Sequence, residues 1–185
     1  MLLLFAVVIG GFFAVVKRGG FRAGPATVAT ASPQTQPAPA AQALVVPVAG
    51  VRPDQLQDTW GQSRAAGARE HHAIDIMAAR GTPVVAAADG TVEKLFESRD
   101  GGHTVYVRRT DPAWVDYYAH LDTYAPDLRE GVAVRRGQAL GTVGSTGDAD
   151  PAGPHLHYEI KRMVPGEKWY EGTDVNPYSL LKGGG

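Results

Sequence analysis

Six histidines, His71, His72, His103, His120, His155 and His157, carry most of the chemistry this chain could do. His71 precedes Asp75 by four residues, so the two share a face whether the segment is a strand or a helix. His155 and His157 alternate with Leu156 and Tyr158, a strand pattern that projects both imidazoles from one face. Buried side by side, each would need a polar partner; a metal, or a pairing of one ligand with one base, supplies it. His120 closes the strand-like stretch Tyr117–Leu121. Imidazole and carboxylate are zinc ligands, and neutral imidazoles move protons near neutral pH. There is no cysteine, so thiolate sites and disulfides are excluded and any metal falls to His and carboxylates. A metalloprotease helix of the His-Glu-x-x-His kind is excluded too, because the glutamate is missing and Gly81 and Pro83 soon close the segment.

These side chains must be positioned by short β-branched segments separated by Gly or Pro, such as Thr82–Phe96, His103–Arg109, Val132–Gly144 and His155–Arg162. Several alternate with period two, and Asp89-Gly90 and Gly101-Gly102 read as hairpin signals. Short helices are expected over Pro126–Glu130 and Pro177–Leu181. The fold class is therefore mostly β, an antiparallel β-sheet domain. The run Gly141–Gly147 has no P-loop lysine and no following helix, so it reads as a hairpin and groove-wall loop. His103 reads as a surface residue at a strand start. Trp60, Tyr118 and Tyr158 are either groove-lining or core aromatics.

The domain is expected over residues 43–185. Ahead of it, residues 1–20 hold an uncharged apolar run, Leu2–Val16, about 22 Å long as a helix and short of a roughly 30 Å hydrocarbon core. It reads as a membrane anchor or a cleaved signal segment. Lys17, Arg18 and Arg22 follow the run, where the positive-inside tendency would hold them in the cytoplasm; a missing basic stretch ahead of Met1 would remove that conflict. Residues 21–42, rich in Ala, Pro and Thr, read as a disordered linker reaching about 60 Å when extended. The first 42 residues hold three bases and no acid, leaving 15 bases against 19 acids, net −4, in the remainder. No basic field is available for nucleic acid.

Taken together, His71-x-x-x-Asp75, Tyr118-Ala119-His120-Leu121 and His155-Leu156-His157 resemble the lysostaphin/LytM zinc metallopeptidases, peptidase family M23. The stretches Gly81–Val92 and Arg136–Gly147 resemble the same family, and the likeness runs from about Trp60 to Tyr178. One departure is Ala73, where the family usually has Gly; a methyl group there is tolerated if the backbone torsions are ordinary. The resemblance implies a duplicated-hybrid-motif-like β domain binding Zn2+ through His71, Asp75 and His157, with a fourth position left for water. Only His71 of the doubled histidine keeps the spacing to Asp75. His120 and His155 are then the catalytic pair, one taking a proton from that water and the other orienting or stabilising the oxyanion. The strand face shared with His157 favours His155 as the base, and the division stays open. The implied activity is hydrolysis of peptide bonds in bacterial peptidoglycan cross-links, in the cell envelope. The protein would be anchored in the inner membrane facing the periplasm or wall, or secreted, and under the control of some protein regulator. The alternative is a non-enzymatic LytM-like regulator or wall-binding module, which the full residue set disfavours. A lipoyl- or biotinyl-carrier domain would need a lysine at an exposed hairpin turn, and none stands at such a place.

Overall fold

Period-two alternation becomes a set of antiparallel strands in the computed structural model, which describes residues 43–64 and 69–183. The expected anchor and linker, residues 1–42, lie outside the described residues. Among those described, no helix is long and apolar enough to cross a membrane.

In chain order the strands are β1 (Ser63–Arg64), β2 (Arg69–Glu70), β3 (Ile74–Met77), β4 (Pro83–Val85), β5 (Gly90–Ser98) and β6 (Gly102–Arg109). They continue with β7 (Trp114–Tyr124), β8 (Ala133–Val134), β9 (Ala139–Val143), β10 (His155–Arg162) and β11 (Thr173–Val175). The main sheet runs β11-β10-β7-β6-β5-β8, with every pairing antiparallel. One edge of β10 meets β7, while its other edge carries β3 at His155–Tyr158 and β11 at Ile160–Arg162. β7 in turn leaves β10 after Ala119 and pairs with β9 from Leu121 onward. β1 and β2 form a separate two-stranded ribbon. The mostly β, antiparallel class expected from the alternation is the class observed.

Alternate residues of β3, β7 and β10 fill the core beneath the sheet. Ile74, Tyr118, Leu121, Leu156, Tyr158 and Ile160 are fully buried there. The rings of Tyr118 and Tyr158 lie 5.2 Å apart, and each hydroxyl finds the partner that a buried phenol needs. Tyr118 Oη accepts from the Ala87 amide at 2.9 Å, and Tyr158 donates to Asp116 Oδ1 at 2.7 Å. Asp116 is itself gripped by the Arg109 guanidinium through two hydrogen bonds of 2.8 and 2.6 Å. Both tyrosines are thus core residues, and the groove-lining option fails for them.

Three local expectations change or sharpen. Pro126–Glu130 forms turns rather than a helix, with Asp127 at φ 64°, a left-handed conformation that interrupts a right-handed helix. Asp89-Gly90 is not a hairpin turn, because β4 pairs with β9 and β5 pairs with β6. A side chain at Gly90 would strike the backbone of Arg108 and Arg109, so glycine serves close strand approach there. The C-terminal helix forms as α1 (Pro177–Lys182), with Asn176 accepting from the Tyr178 amide at 2.9 Å and Pro177 at the start.

Candidate active site

Register builds the site. His157 in β10 stands opposite Asp75 in β3 on one side and Ala119 in β7 on the other. Directly paired residues of antiparallel strands hold their side chains within contact distance, so Asp75 and His157 meet above a floor kept low by Ala119. His71 precedes β3 and arrives through a loop whose backbone is pinned, with its amide donating to Gln62 and its carbonyl accepting from Gly61. His71 is buried, and its ring centroid lies 4.9 Å from that of His157.

Three donor atoms converge. His71 Nε2 lies 3.0 Å from Asp75 Oδ1 and 3.1 Å from His157 Nδ1, and His157 Nδ1 lies 3.2 Å from Asp75 Oδ1. A tetrahedral zinc ion with ligands at about 2.0–2.2 Å would separate them by roughly 3.4 Å, so the triangle fits such an ion within a few tenths of an ångström. Among the described residues this is the group able to hold a metal. The far atom of each member is also held. His71 Nδ1 donates to the Thr59 carbonyl at 2.9 Å, Asp75 Oδ2 accepts from Arg64 at 2.6 Å, and His157 Nε2 donates to Glu159 at 3.0 Å.

Electrostatics follows from that crowding. Burial pushes the Asp75 carboxyl up, yet hydrogen bonds from His157 and His71 outweigh it and hold the group far below the usual carboxylate range. Burial likewise lowers His157, but the Asp75 and Glu159 carboxylates prevail and raise it to about 9. Glu159 is disfavoured as an anion by burial, and His157 and Lys161 bring it below its ordinary value.

Two more imidazoles complete the cluster. His155 leaves the same face of β10 as His157, and its Nδ1 donates to the Gly153 carbonyl at 2.8 Å. His120 Nδ1 donates to the Thr146 carbonyl at 2.8 Å. A carbonyl can only accept, so both rings carry their proton on Nδ1 and leave an Nε2 lone pair for the groove. The His120 ring lies 5.1 Å from that of His155 and 5.5 Å from that of His157. Burial is the main cause that lowers His120, to about 4, which keeps it neutral at physiological pH.

His120 reaches this place by breaking the alternation. Between Tyr118 and Leu121 the pairing of β7 with β6 slips by one residue, and His120 adopts φ 59°. Its amide donates to Gly101 across the slip at 2.9 Å. This bulge turns the imidazole into the groove and returns Leu121 to the core. The neighbouring loops meet at Gly102 and Gly147, both at positive φ, where an added Cβ on either would strike the other's backbone. Gly141–Gly147 therefore supplies the last residues of β9 and the carbonyl that holds His120, while the groove itself is lined by the residues that follow, Asp148–Asp150.

All five expected site residues line one groove of about 690 Å³. His72 points elsewhere in it, stacked on Trp60 at 5.4 Å and bonded to Asp174 at 3.1 Å. Ala73 is fully buried with φ outside the left-handed region, so its methyl group is accommodated. His103 sits near the start of β6, partly buried against Asp122 and Glu97. Sequence reasoning missed Arg64, Tyr117, Glu159, Lys161 and Asp174, all of which line the groove. For Glu159 and Lys161 a signal existed, since they continue the alternation of His155 and His157. Arg64 and Asp174 arrive from distant segments and had none.

Comparison with known proteins agrees with this geometry. The L-Ala--D-Glu endopeptidase of Bacillus subtilis (strain 168) is 35% identical over 132 residues, covering 68% of this chain and 39% of that protein. The peptidoglycan DD-endopeptidase ShyC of Vibrio cholerae is 38% identical over 108 residues, covering 58% of this chain and 23% of that one. This chain thus spans less than half the length of these curated relatives. Among solved structures, the catalytic domain of lysostaphin from Staphylococcus simulans superposes with a TM-score of 0.57 at 27% identity, covering 70% of this chain and 95% of that one. The catalytic domain of the prophage-encoded M23 protein EnpA from Enterococcus faecalis gives 0.53 at 30% identity, covering 66% and 87%. The sequence pattern of peptidase family M23 matches residues 69–177, more than half of the chain and all five expected site residues, and the chain belongs to that family.

Proposed function

We propose that this chain is a zinc-dependent endopeptidase that hydrolyses peptide bonds in bacterial peptidoglycan cross-links. The observation that carries the reading is the convergence of His71 Nε2, Asp75 Oδ1 and His157 Nδ1, with two further imidazoles on the same groove. One carboxylate and two imidazoles are the donor set of catalytic zinc sites, with a fourth position open. When bound, zinc supplies the Lewis acid that polarises a peptide carbonyl and acidifies the attacking water. His71, Asp75 and His157 are the ligands in this reading. His155, with Nε2 3.7 Å from Asp75 Oδ1 and on the same face of β10 as the ligand His157, is placed to take the proton. His120, made a weak base by burial, orients the reacting groups with its Nε2 lone pair. The substrate class rests on the names of the relatives, one an L-Ala--D-Glu endopeptidase and the other a peptidoglycan DD-endopeptidase. In the same reading residues 1–20 tether the chain to the membrane, 21–42 space it from the bilayer, and 43–185 work in the cell envelope; the apolar and Pro-rich compositions support this.

The test uses the full-length chain and its His157→Ala variant. Zinc per chain is measured by elemental analysis, and peptide release from purified sacculi by mass spectrometry. About one zinc per chain with release abolished in the variant is the expected result, and product masses name the bond. Neither zinc nor release would replace the enzyme with a regulatory or wall-binding module.

A further inference from the structure

The three convergent side chains each have a second polar atom, and each of these is held by a different kind of group. For His71 it is a backbone carbonyl and for Asp75 a guanidinium one-third exposed. For His157 it is a carboxylate enclosed in a line of charges. Glu159 lies two residues further along β10 on the same face, and its Oε1 accepts from His157 Nε2 at 3.0 Å. Its other oxygen lies 3.2 Å from Lys161 Nζ, two residues further still. Lys161 also donates to Asp174 Oδ1 at 2.5 Å, from the β11 residue that faces it in register. Asp174 Oδ2 lies 3.1 Å from His72 Nδ1. On the opposite side Tyr117 pairs with Glu159 across β7 and sets its ring edge-on to His157, 6.1 Å between centroids. Glu159 and Lys161 side chains are only 18% and 13% exposed, so water competes poorly for either.

We propose that Glu159 is the positioning residue of the metal site. By accepting the Nε2 proton it fixes His157 in the tautomer whose lone pair lies on Nδ1, aimed at His71 and Asp75. Lys161 and Asp174 hold the carboxylate in that orientation. The reason is directional. A ring that coordinates through Nδ1 is free to tilt unless Nε2–H has a fixed acceptor, and an anionic acceptor strengthens the nitrogen across the ring as a donor. Alternation places that acceptor on the same strand as the ligand, so the pair moves as one body.

This inference rests on the zinc reading above, and its test separates the two. Zinc affinity of the full-length chain is measured by chelator competition for the parent, Glu159→Ala and Glu159→Gln. The zinc-loaded proteins are also compared for the His157 Nε2–H signal in long-range 1H–15N spectra. Glu159→Ala is expected to bind zinc about 10- to 100-fold more weakly and to lose that signal to solvent exchange. Glu159→Gln keeps an oxygen acceptor without the charge, so an intermediate loss of roughly three- to tenfold is expected, with the signal retained. At saturating zinc the Ala variant should lose kcat while KM holds, since Glu159 makes no substrate contact in this proposal. Affinity in Glu159→Ala within twofold of the parent, with the signal unchanged, overturns the proposal. Should that variant fail to fold, Glu159→Gln decides, and parental affinity there overturns it. A parent that binds no zinc overturns the zinc reading instead.

Discussion

Ala119 and His120 are consecutive in β7, yet both face the groove. A regular strand would send them to opposite faces and bury His120 beside Tyr118. The bulge that prevents this holds His120 at φ 59°, a left-handed conformation that costs a non-glycine residue about 1–2 kcal/mol. The hydrogen bonds to Gly101 and Thr146 offset that strain, each contributing roughly 1 kcal/mol.

Stability and activity should therefore part at His120. His120→Gly relieves the left-handed strain but loses the bond to Thr146 and the ring contacts with His155 and His157, so unfolding free energy should fall by no more than about 2 kcal/mol. Peptide release should fall by about 10²-fold, as for a lost group that orients the reacting atoms. Urea unfolding and release assays on the same preparation check this; a large stability loss would show that the bulge depends on the imidazole.

Zinc affinity should weaken as pH falls. His157 is raised to about 9 while it holds a proton between Asp75 and Glu159, and zinc must displace the Nδ1 proton. Below about pH 9 apparent affinity should drop roughly tenfold per pH unit, which chelator competition from pH 8.5 to 6.5 would reveal. A flat profile would contradict the assignment of His157 as a ligand.

The metal-stripped protein should show the opposite trend. A histidine whose folded pKa exceeds its unfolded value of about 6.5 stabilises fully below that pH and ceases to do so as pH rises through 9. Asp75 is depressed, so its contribution is present above about pH 4 and disappears as pH falls through its lowered folded value. Melting temperatures of the stripped chain should accordingly be higher at pH 6.5 than at pH 9. The reverse order would remove the charged His157–Asp75 pair from the account.

Asp116, fully buried, joins Arg109 to Tyr158. Asp116→Ala leaves the guanidinium buried without its partner and should cost about 3–5 kcal/mol in urea unfolding. Arg109→Met combined with Asp116→Leu removes both charges and should recover most of that loss. Equal destabilisation in the single and double variants would mean that the shape of the pair matters more than its charge.

At the groove wall, Gly147→Ala forces a Cβ against the backbone of Asp100 and Gly102 at φ 79°. The Thr146 carbonyl should shift from His120. Zinc content should stay at the parental level while release falls at least tenfold, roughly what a misplaced catalytic group costs. Loss of zinc in this variant would show that the wall also supports the three ligands.

The sequence by itself determined the chemistry that is local. Alternation put His155, His157 and Glu159 on one face, and the lack of cysteine confined any metal to imidazole and carboxylate, whereas His71 reaches Asp75 from a loop that no strand or helix spacing describes. It also determined the mostly β class, because period two and Gly/Pro punctuation are properties of neighbouring residues. Tertiary structure decided what depends on partners far along the chain. The register of β10 against β3 and β7 brought three distant segments to one point. The competing pairings of β7 with β6, β9 and β10 created the bulge that turns His120 out of the core. Arg64 and Asp174 joined the site from segments with no spacing relation to it. Tyr118 and Tyr158 went to the core because the sheet face beneath them is covered, whereas Tyr117 stayed in the groove. Periodicity fixes which residues share a face; only packing decides which face meets solvent and which strands lie side by side.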